Sequence, residues 1–243
     1  MGLMRLDRFL SSQKGISRKD VKLLVKRRQV DVDGRAASDA GQKIDPQNVR
    51  VLLSGRRITF KKHIYLMMNK PAGVISASRD PKQRTVIDLI PAELMRKGLF
   101  PAGRLDKDTE GLLLLTDDGD FAHRLLSPKN RVIKTYLAAV SHPVGEAEIA
   151  AFAFGIQLAD GTVLLPAELR VIKNGDKPLV EVRICEGKYH QVKRMFGALG
   201  MDVLSLKRIA IGALTLDETL LPGRCKELSR EEIELAEQKV PLP

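Results

Sequence analysis

Apolar residues along this chain fall into short periodic runs separated by turn signals, and the first runs are helical. Leu6, Phe9 and Leu10 recur at helical spacing, as do Val21, Leu24 and Val25. Ser17 stands at an N-cap position, Asp20 three residues later completes a capping-box-like pattern, and Ile16 and Val21 are placed as a hydrophobic staple. On that second helix Arg18, Lys22 and Lys26 are spaced four apart and line one outer face. Residues 29–35 then alternate like a strand and end in an Asp33-Gly34 turn, and residues 49–53 add a further strand. Ser54-Gly55-Arg56-Arg57 and Lys61-Lys62 read as a polar connection. They divide the chain into a first domain of residues 1–58 and a second of 62–243.

The second domain mixes periods. Residues 64–68 predict a strand that runs into the rigid turn Asn69-Lys70-Pro71-Ala72-Gly73. Further strands are expected over 134–140, 179–184 and 203–211, and helices over 121–126, 146–154 and 188–199. Asp117 or Asp118 caps the first of these helices, and Ser229 with Glu232 opens another near the C-terminus. Strands and helices interleave without a regular βαβ rhythm. The fold class expected is therefore α+β: a small N-terminal α/β domain, then a larger domain with a mixed, mostly antiparallel sheet flanked by helices.

Charge sharpens this division. The net charge of +11 is uneven: residues 1–62 hold 16 Lys/Arg against 6 Asp/Glu, and residues 63–243 hold 25 against 24. A basic module ahead of a nearly neutral body points to a polyanionic partner. Asp7, Asp20, Asp31 and Asp33 interrupt the basic stretch, which favours nucleic acid over a membrane surface. No apolar run approaches the roughly 20 residues of a membrane span, and the start of the chain has no signal-peptide pattern. Cys185 and Cys225 are too few and too distant for a disulfide framework or a zinc site, so they read as reduced thiols of a cytoplasmic protein. Four scattered histidines argue against a metal enzyme.

Candidate chemistry centres on residues 103–116. Carboxylates at Asp106, Asp108 and Glu110 run straight into Leu112-Leu113-Leu114-Leu115, an apolar run short enough to be a buried strand. A carboxylate held at the mouth of such a strand is rigidly placed and partly desolvated, as a catalytic group needs to be. The same pattern also describes a surface loop of three solvated acids. A glycine-rich phosphate loop, a Gly-x-Ser-x-Gly elbow and a metal-binding histidine pair are all absent from the sequence. What remains, with the basic segment 189–194, is cofactor-free chemistry on RNA.

Residues 3–50 resemble the RNA-binding domain of ribosomal protein S-four, which implies that Arg18, Lys22 and Lys26 contact RNA. Gly103-Arg104-Leu105-Asp106-x-x-Thr109-x-Gly111-Leu112-Leu113-Leu114 resembles the catalytic motif of the pseudouridine synthases. Asn69-Lys70-Pro71-x-Gly73, Lys134-Thr135-Tyr136 and the segment Glu186 to Met195 are similar to the other motifs of that family, in the same order. The resemblance implies that Asp106 is the catalytic carboxylate, as nucleophile or as base, and that the reaction needs no cofactor and no metal. It implies that Tyr136 stacks on the target uracil, that Lys193 pairs with Asp106 and keeps it ionised, that Ile184 packs against the base and that Arg104 touches the RNA backbone. Tyr136 and Ile184 also fit as core residues, and Arg104 as half of an ion pair. Asp108 and Glu110 fall at positions the motif leaves free and are expected to be solvated. The S-four-like domain and the Tyr189-to-Met195 wording are closest to the branch that acts on 16S ribosomal RNA, with 23S RNA or a silent assembly factor as alternatives. The implied partner is ribosomal RNA within an assembling small subunit, bound by a monomer.

Overall fold

The computed structural model describes residues 2–240, and its contacts divide the chain into two units. The first holds the residues up to Ile64 together with Ile90–Leu99, and the second holds Tyr65–Leu89 and the chain from Phe100 onward.

In the first unit β1 (Met4–Arg5) leads into α1 (Leu6–Lys14) and α2 (Arg18–Lys26). Strands β2 (Val30–Val32), β3 (Arg35–Ala36), β4 (Lys43–Ile44), β5 (Val51–Leu53) and β6 (Arg56–Ile58) follow. The amphipathic pattern does what its spacing demands: Leu6, Phe9, Leu10, Val21, Val25 and Val30 all bury into one core. The Ser17 side chain accepts from the Asp20 amide and so caps α2. Asp33 and Gly34 both have positive φ, 50° and 82°, the geometry of the tight turn that joins β2 to β3.

Two features differ from the expected division of the chain. Ser54 and Gly55 also have positive φ, 50° and 78°, and pair β5 with β6 as a second hairpin. The polar stretch is thus part of a four-stranded antiparallel sheet of order β3-β2-β5-β6 rather than a connection. Residues 90–99 pack with the first unit. Arg96, only 6% exposed, donates from Nε to the Ser12 carbonyl at 2.8 Å and from Nη2 to that of Lys61 at 2.6 Å.

The second unit is built on one sheet. Its strands are β7 (Tyr65–Lys70), β8 (Phe100–Pro101), β9 (Glu110–Thr116), β10 (Lys134–Val140), β11 (Glu168–Lys173), β12 (Leu179–Ile184), β13 (Val203–Ile211), β14 (Leu214–Thr215) and β15 (Cys225–Glu227). Helices α3 (Gly119–Leu126), α4 (Glu146–Phe154), α5 (Gln191–Ala198) and α6 (Arg230–Glu237) complete it. The main strand order is β11-β12-β10-β13-β9-β7-β15, with β14 paired to β13 and β8 to β9. The β9–β13 pair is parallel and the other ladders are antiparallel, as a mixed, mostly antiparallel sheet requires. Asp118 caps α3 by accepting from the amides of Asp120 and Phe121. Helix α5 starts at Gln191, because residues 186–190 form a turn instead of its first coil.

Strand β9 lies between β7 and β13, with other elements over both faces of the sheet. That is why four consecutive leucines, 112–115, can all be at most 1% exposed. Gly111, at the start of this strand, has φ +99°, and a Cβ there would stand 2.2 Å from the Arg208 carbonyl oxygen. Only glycine allows β9 and β13 to approach so closely at the entrance to the strand.

Candidate active site

The loop that carries Asp106 is fastened to the sheet on both sides of the carboxylate. On one side Ser76 Oγ donates to the Leu105 carbonyl at 2.8 Å and accepts from the Leu105 amide at 3.0 Å. On the other, the Lys107 carbonyl accepts from the Gly73 amide at 2.7 Å and from Lys70 Nζ at 3.2 Å. Lys70 Nζ also donates to the carbonyls of Thr109 at 2.8 Å and Pro71 at 3.0 Å. A turn hydrogen bond from the Thr109 amide to the Asp106 carbonyl closes the loop. Lys70 is wholly buried, and its burial pushes its pKa down to about 8 against the pull of Asp108, Asp106 and Glu110. These contacts fix the backbone at Asp106 before any substrate arrives.

Two basic side chains reach Asp106 from the start of α5. His190 Nε2 lies 3.5 Å from Asp106 Oδ1, and Lys193 Nζ lies 3.9 Å from Oδ2. The expected pairing of Lys193 with Asp106 is therefore present as a longer contact. Its hydrogen bonds go to Asp108, at 2.6 Å and 2.7 Å. That contact, more than any other, holds the Asp108 carboxyl below the usual carboxylate range. Asp108 is thus solvated, as expected, and in addition a partner of the site's cation. Lysine makes this sharing possible, since an ammonium on a flexible stem can face two carboxylates without the fixed fork of a guanidinium.

Tyr136 lies on β10, opposite Val182 on β12 and Arg208 on β13. It is 8% exposed, with the Arg208 guanidinium 5.9 Å from its ring centroid and Arg208 Nη1 3.4 Å from its hydroxyl. Arg208 is itself buried, donates from Nε to the Leu112 carbonyl at 2.8 Å, and leaves Nη2 without a partner among the described residues. Because Arg208 also pairs in register with Gly111, Tyr136 is one strand removed from the beginning of β9. Lys134, buried on the same strand, has its pKa pushed down to about 8, chiefly by burial and then by the charge of Arg208. Ile184, 2% exposed and opposite Lys134, shares the sheet face of Tyr136 and packs as core. Arg104 is exposed two residues before Asp106, in no ion pair among the described residues. Arg18, Lys22 and Lys26 are exposed along α2, in the first unit.

Sequence reasoning did not single out Ser76, Lys70, Arg208 or His190 as individual parts of the site. A lysine at the end of the apolar run 64–68 signals burial for Lys70, but nothing local marks Ser76 or Arg208. Among the described residues no cluster of His, Cys, Asp and Glu is arranged to hold a metal ion. The geometry supplies an immobilised, partly exposed carboxylate flanked by an imidazole and an ammonium. Such a group can attack an electrophilic carbon or take a proton.

Comparison with known proteins gives this geometry a lineage. Residues 64–198 match the family model described as RNA pseudouridylate synthase. An uncharacterised RNA pseudouridine synthase of Bacillus subtilis is 45% identical over 233 residues, covering 96% of this chain and 98% of that protein. Ribosomal small subunit pseudouridine synthase A of Escherichia coli is 41% identical over 233 residues, covering 95% and 98%. A crystal structure of a pseudouridylate synthase, 36% identical, superposes with a TM-score of 0.66 over 96% of this chain and 99% of that one.

Proposed function

The chain belongs to the RNA pseudouridylate synthase family, and from that premise we propose that this RNA uridine isomerase converts one uridine of 16S ribosomal RNA to pseudouridine. The observation that carries the reading is Asp106, pinned through Leu105, Lys107 and Thr109 with His190 and Lys193 beside it. The choice of 16S RNA draws on the relatives named for the small subunit, which match nearly the whole of both chains.

The isomerisation breaks the bond between uracil N1 and ribose C1′, turns the ring, and joins C5 to C1′. A proton leaves C5 and one is taken up at N1, with no redox change. Asp106 brings about the detachment, either by adding to the sugar or base or by removing a ribose proton, and is released again when C5 joins C1′. Tyr136 receives the uracil face, and Lys193 and His190 hold the carboxylate in place. A base inside an RNA stack is out of reach of a carboxylate on so rigid a loop, so the nucleotide must be extruded. The basic α2 face and Arg104 hold the surrounding backbone. The same reading has the protein acting as a cytoplasmic monomer on RNA of an assembling small subunit.

The test is a pseudouridine map of both ribosomal RNAs from cells lacking the protein, restored with wild type or with Asp106→Asn. One 16S position should lose its modification and regain it only with wild type. Loss at a 23S position instead would move the substrate to the large subunit. No loss anywhere, or restoration by Asp106→Asn, would overturn the catalytic reading.

A further inference from the structure

Of the three tyrosines in this Trp-free chain, Tyr65 donates its hydroxyl to Asp118 at 2.7 Å and packs edge-on against Phe121, and Tyr136 is buried. Tyr189 is different: it is 76% exposed. One face of its ring lies on the His190 ring, with centroids 3.9 Å apart and planes 16° apart. The inner member of this stack, His190, is the side chain 3.5 Å from Asp106.

The turn that presents the pair is clipped from within. Glu186 Oε1 accepts from Gln191 Nε2 at 3.1 Å and from the Leu165 amide at 2.9 Å, while Gln191 Oε1 accepts from the Lys188 amide at 2.9 Å. Both side chains are buried. Inside this clip His190 holds φ +49°, in the left-handed region that costs a non-glycine residue energy and persists only where the surroundings impose it. The fold therefore spends backbone strain to hold an open aromatic face at the rim of the catalytic carboxylate.

We propose that the Tyr189–His190 stack is a second base-binding platform, taking an unpaired base beside the extruded uridine. This rests on the reading of the protein as an enzyme acting on RNA uridine. Extrusion of one nucleotide removes the stacking partner of its neighbours, and an aromatic face restores it whatever the base. A base laid on the open face of Tyr189 sits two ring thicknesses from the His190 ring, whose edge nitrogen Nε2 is 3.5 Å from Asp106, a separation an adjacent nucleotide can span. Tyr136 and Tyr189 would then divide the work, the first receiving the target and the second its neighbour.

The full-length protein tests this with two probes. The first is tritium release from unmodified 16S transcripts labelled at uracil C5. Tyr189→Ala should lower kcat/KM roughly ten- to hundredfold, mainly through KM, and Tyr189→Phe should stay within about threefold of wild type. Because the ring is exposed, thermal stability should not change, which separates stacking from a structural role. The second probe is a single-stranded oligouridylate carrying 2-aminopurine beside one uridine. Its fluorescence should be quenched by wild type and Tyr189→Phe but not by Tyr189→Ala. Equal behaviour of Tyr189→Ala and wild type in the quench assay, or an equal loss for the Phe and Ala variants, would overturn the platform. Failure of wild type to release tritium from the 16S transcripts would sink only the substrate assignment, since the quench is read without turnover.

Discussion

Lys193 shows how one ammonium can serve two carboxylates at unequal distance. It bonds Asp108 closely and faces Asp106 at 3.9 Å, yet Asp108 is 72% exposed, so that closer pair is largely screened by water. Asp108→Asn should therefore shift stability by less than about 1 kcal/mol in denaturant titrations and lower kcat by less than about tenfold. Lys193→Met strips both carboxylates of the ammonium and should cost about a hundredfold in kcat, measured under single-turnover conditions. If the two variants lose activity equally, Asp108 takes a direct part in the chemistry. Asp106→Asn should bind RNA as wild type does, by filter binding, and lose about a thousandfold or more in product formation.

At the level of elements, the junction of β7 with β9 decides where the catalytic loop stands. Lys70, paired in register with Gly111, ends β7 and sends its ammonium to three carbonyls of the turn and loop. Lys70→Met should destabilise the protein by about 2 kcal/mol, since carbonyls that accepted a charge-assisted bond lose it. The loosened loop should also lower kcat more than it raises KM. The lysine has a pH signature as well. Its pKa near 8 in the fold lies below its ordinary value of 10.5, and Lys134 is shifted the same way. Between about pH 8 and 10.5 the unfolded chain thus binds more protons than the native one, and these two groups make stability rise with pH through that window. Tyr65, whose pKa is raised chiefly by burial, acts in the opposite sense above pH 10, because the unfolded tyrosine loses its proton first. Urea melts of wild type and Lys70→Met at pH 7.5, 9 and 10 should show the stability gap widening in favour of wild type. A constant gap would mean that Lys70 keeps its ordinary titration.

For the whole molecule, the question is what the basic first unit contributes. Replacing Arg18, Lys22 and Lys26 together by glutamine should lower the slope of log affinity against log salt by about 2 to 3 for structured RNA. An unchanged slope would make the α2 face a solubilising surface only. Point substitution is the right instrument, because removing residues 1–58 would strip the segment 90–99 of the unit it packs with. Arg96 in particular would lose its Ser12 acceptor. That truncation should give a protein prone to aggregation, detectable by size-exclusion chromatography.

What sequence alone determined here was local or ordered along the chain. The Ser17 and Asp118 caps, the Asp33-Gly34 turn, the burial of Leu112 to Leu115 and the bounds of β10, β12 and β13 all follow from dihedral preferences and periodicities within a few residues. The order of four motifs carried the family. The same local signals misread Ser54-Gly55, because a turn dipeptide between polar residues has the composition of a linker. Lys193 apart, which the motif resemblance already set beside Asp106, only the tertiary structure decided which groups meet at and around that carboxylate. Ser76 reaches Leu105 across 29 residues, Lys70 reaches Thr109 across 39, and Lys193 reaches Asp108 across 85. Spacing along a chain holds no record of such distances. They are set by the strand order that lays β7 and β13 on either side of β9 and by the strained turn that swings His190 to the carboxylate.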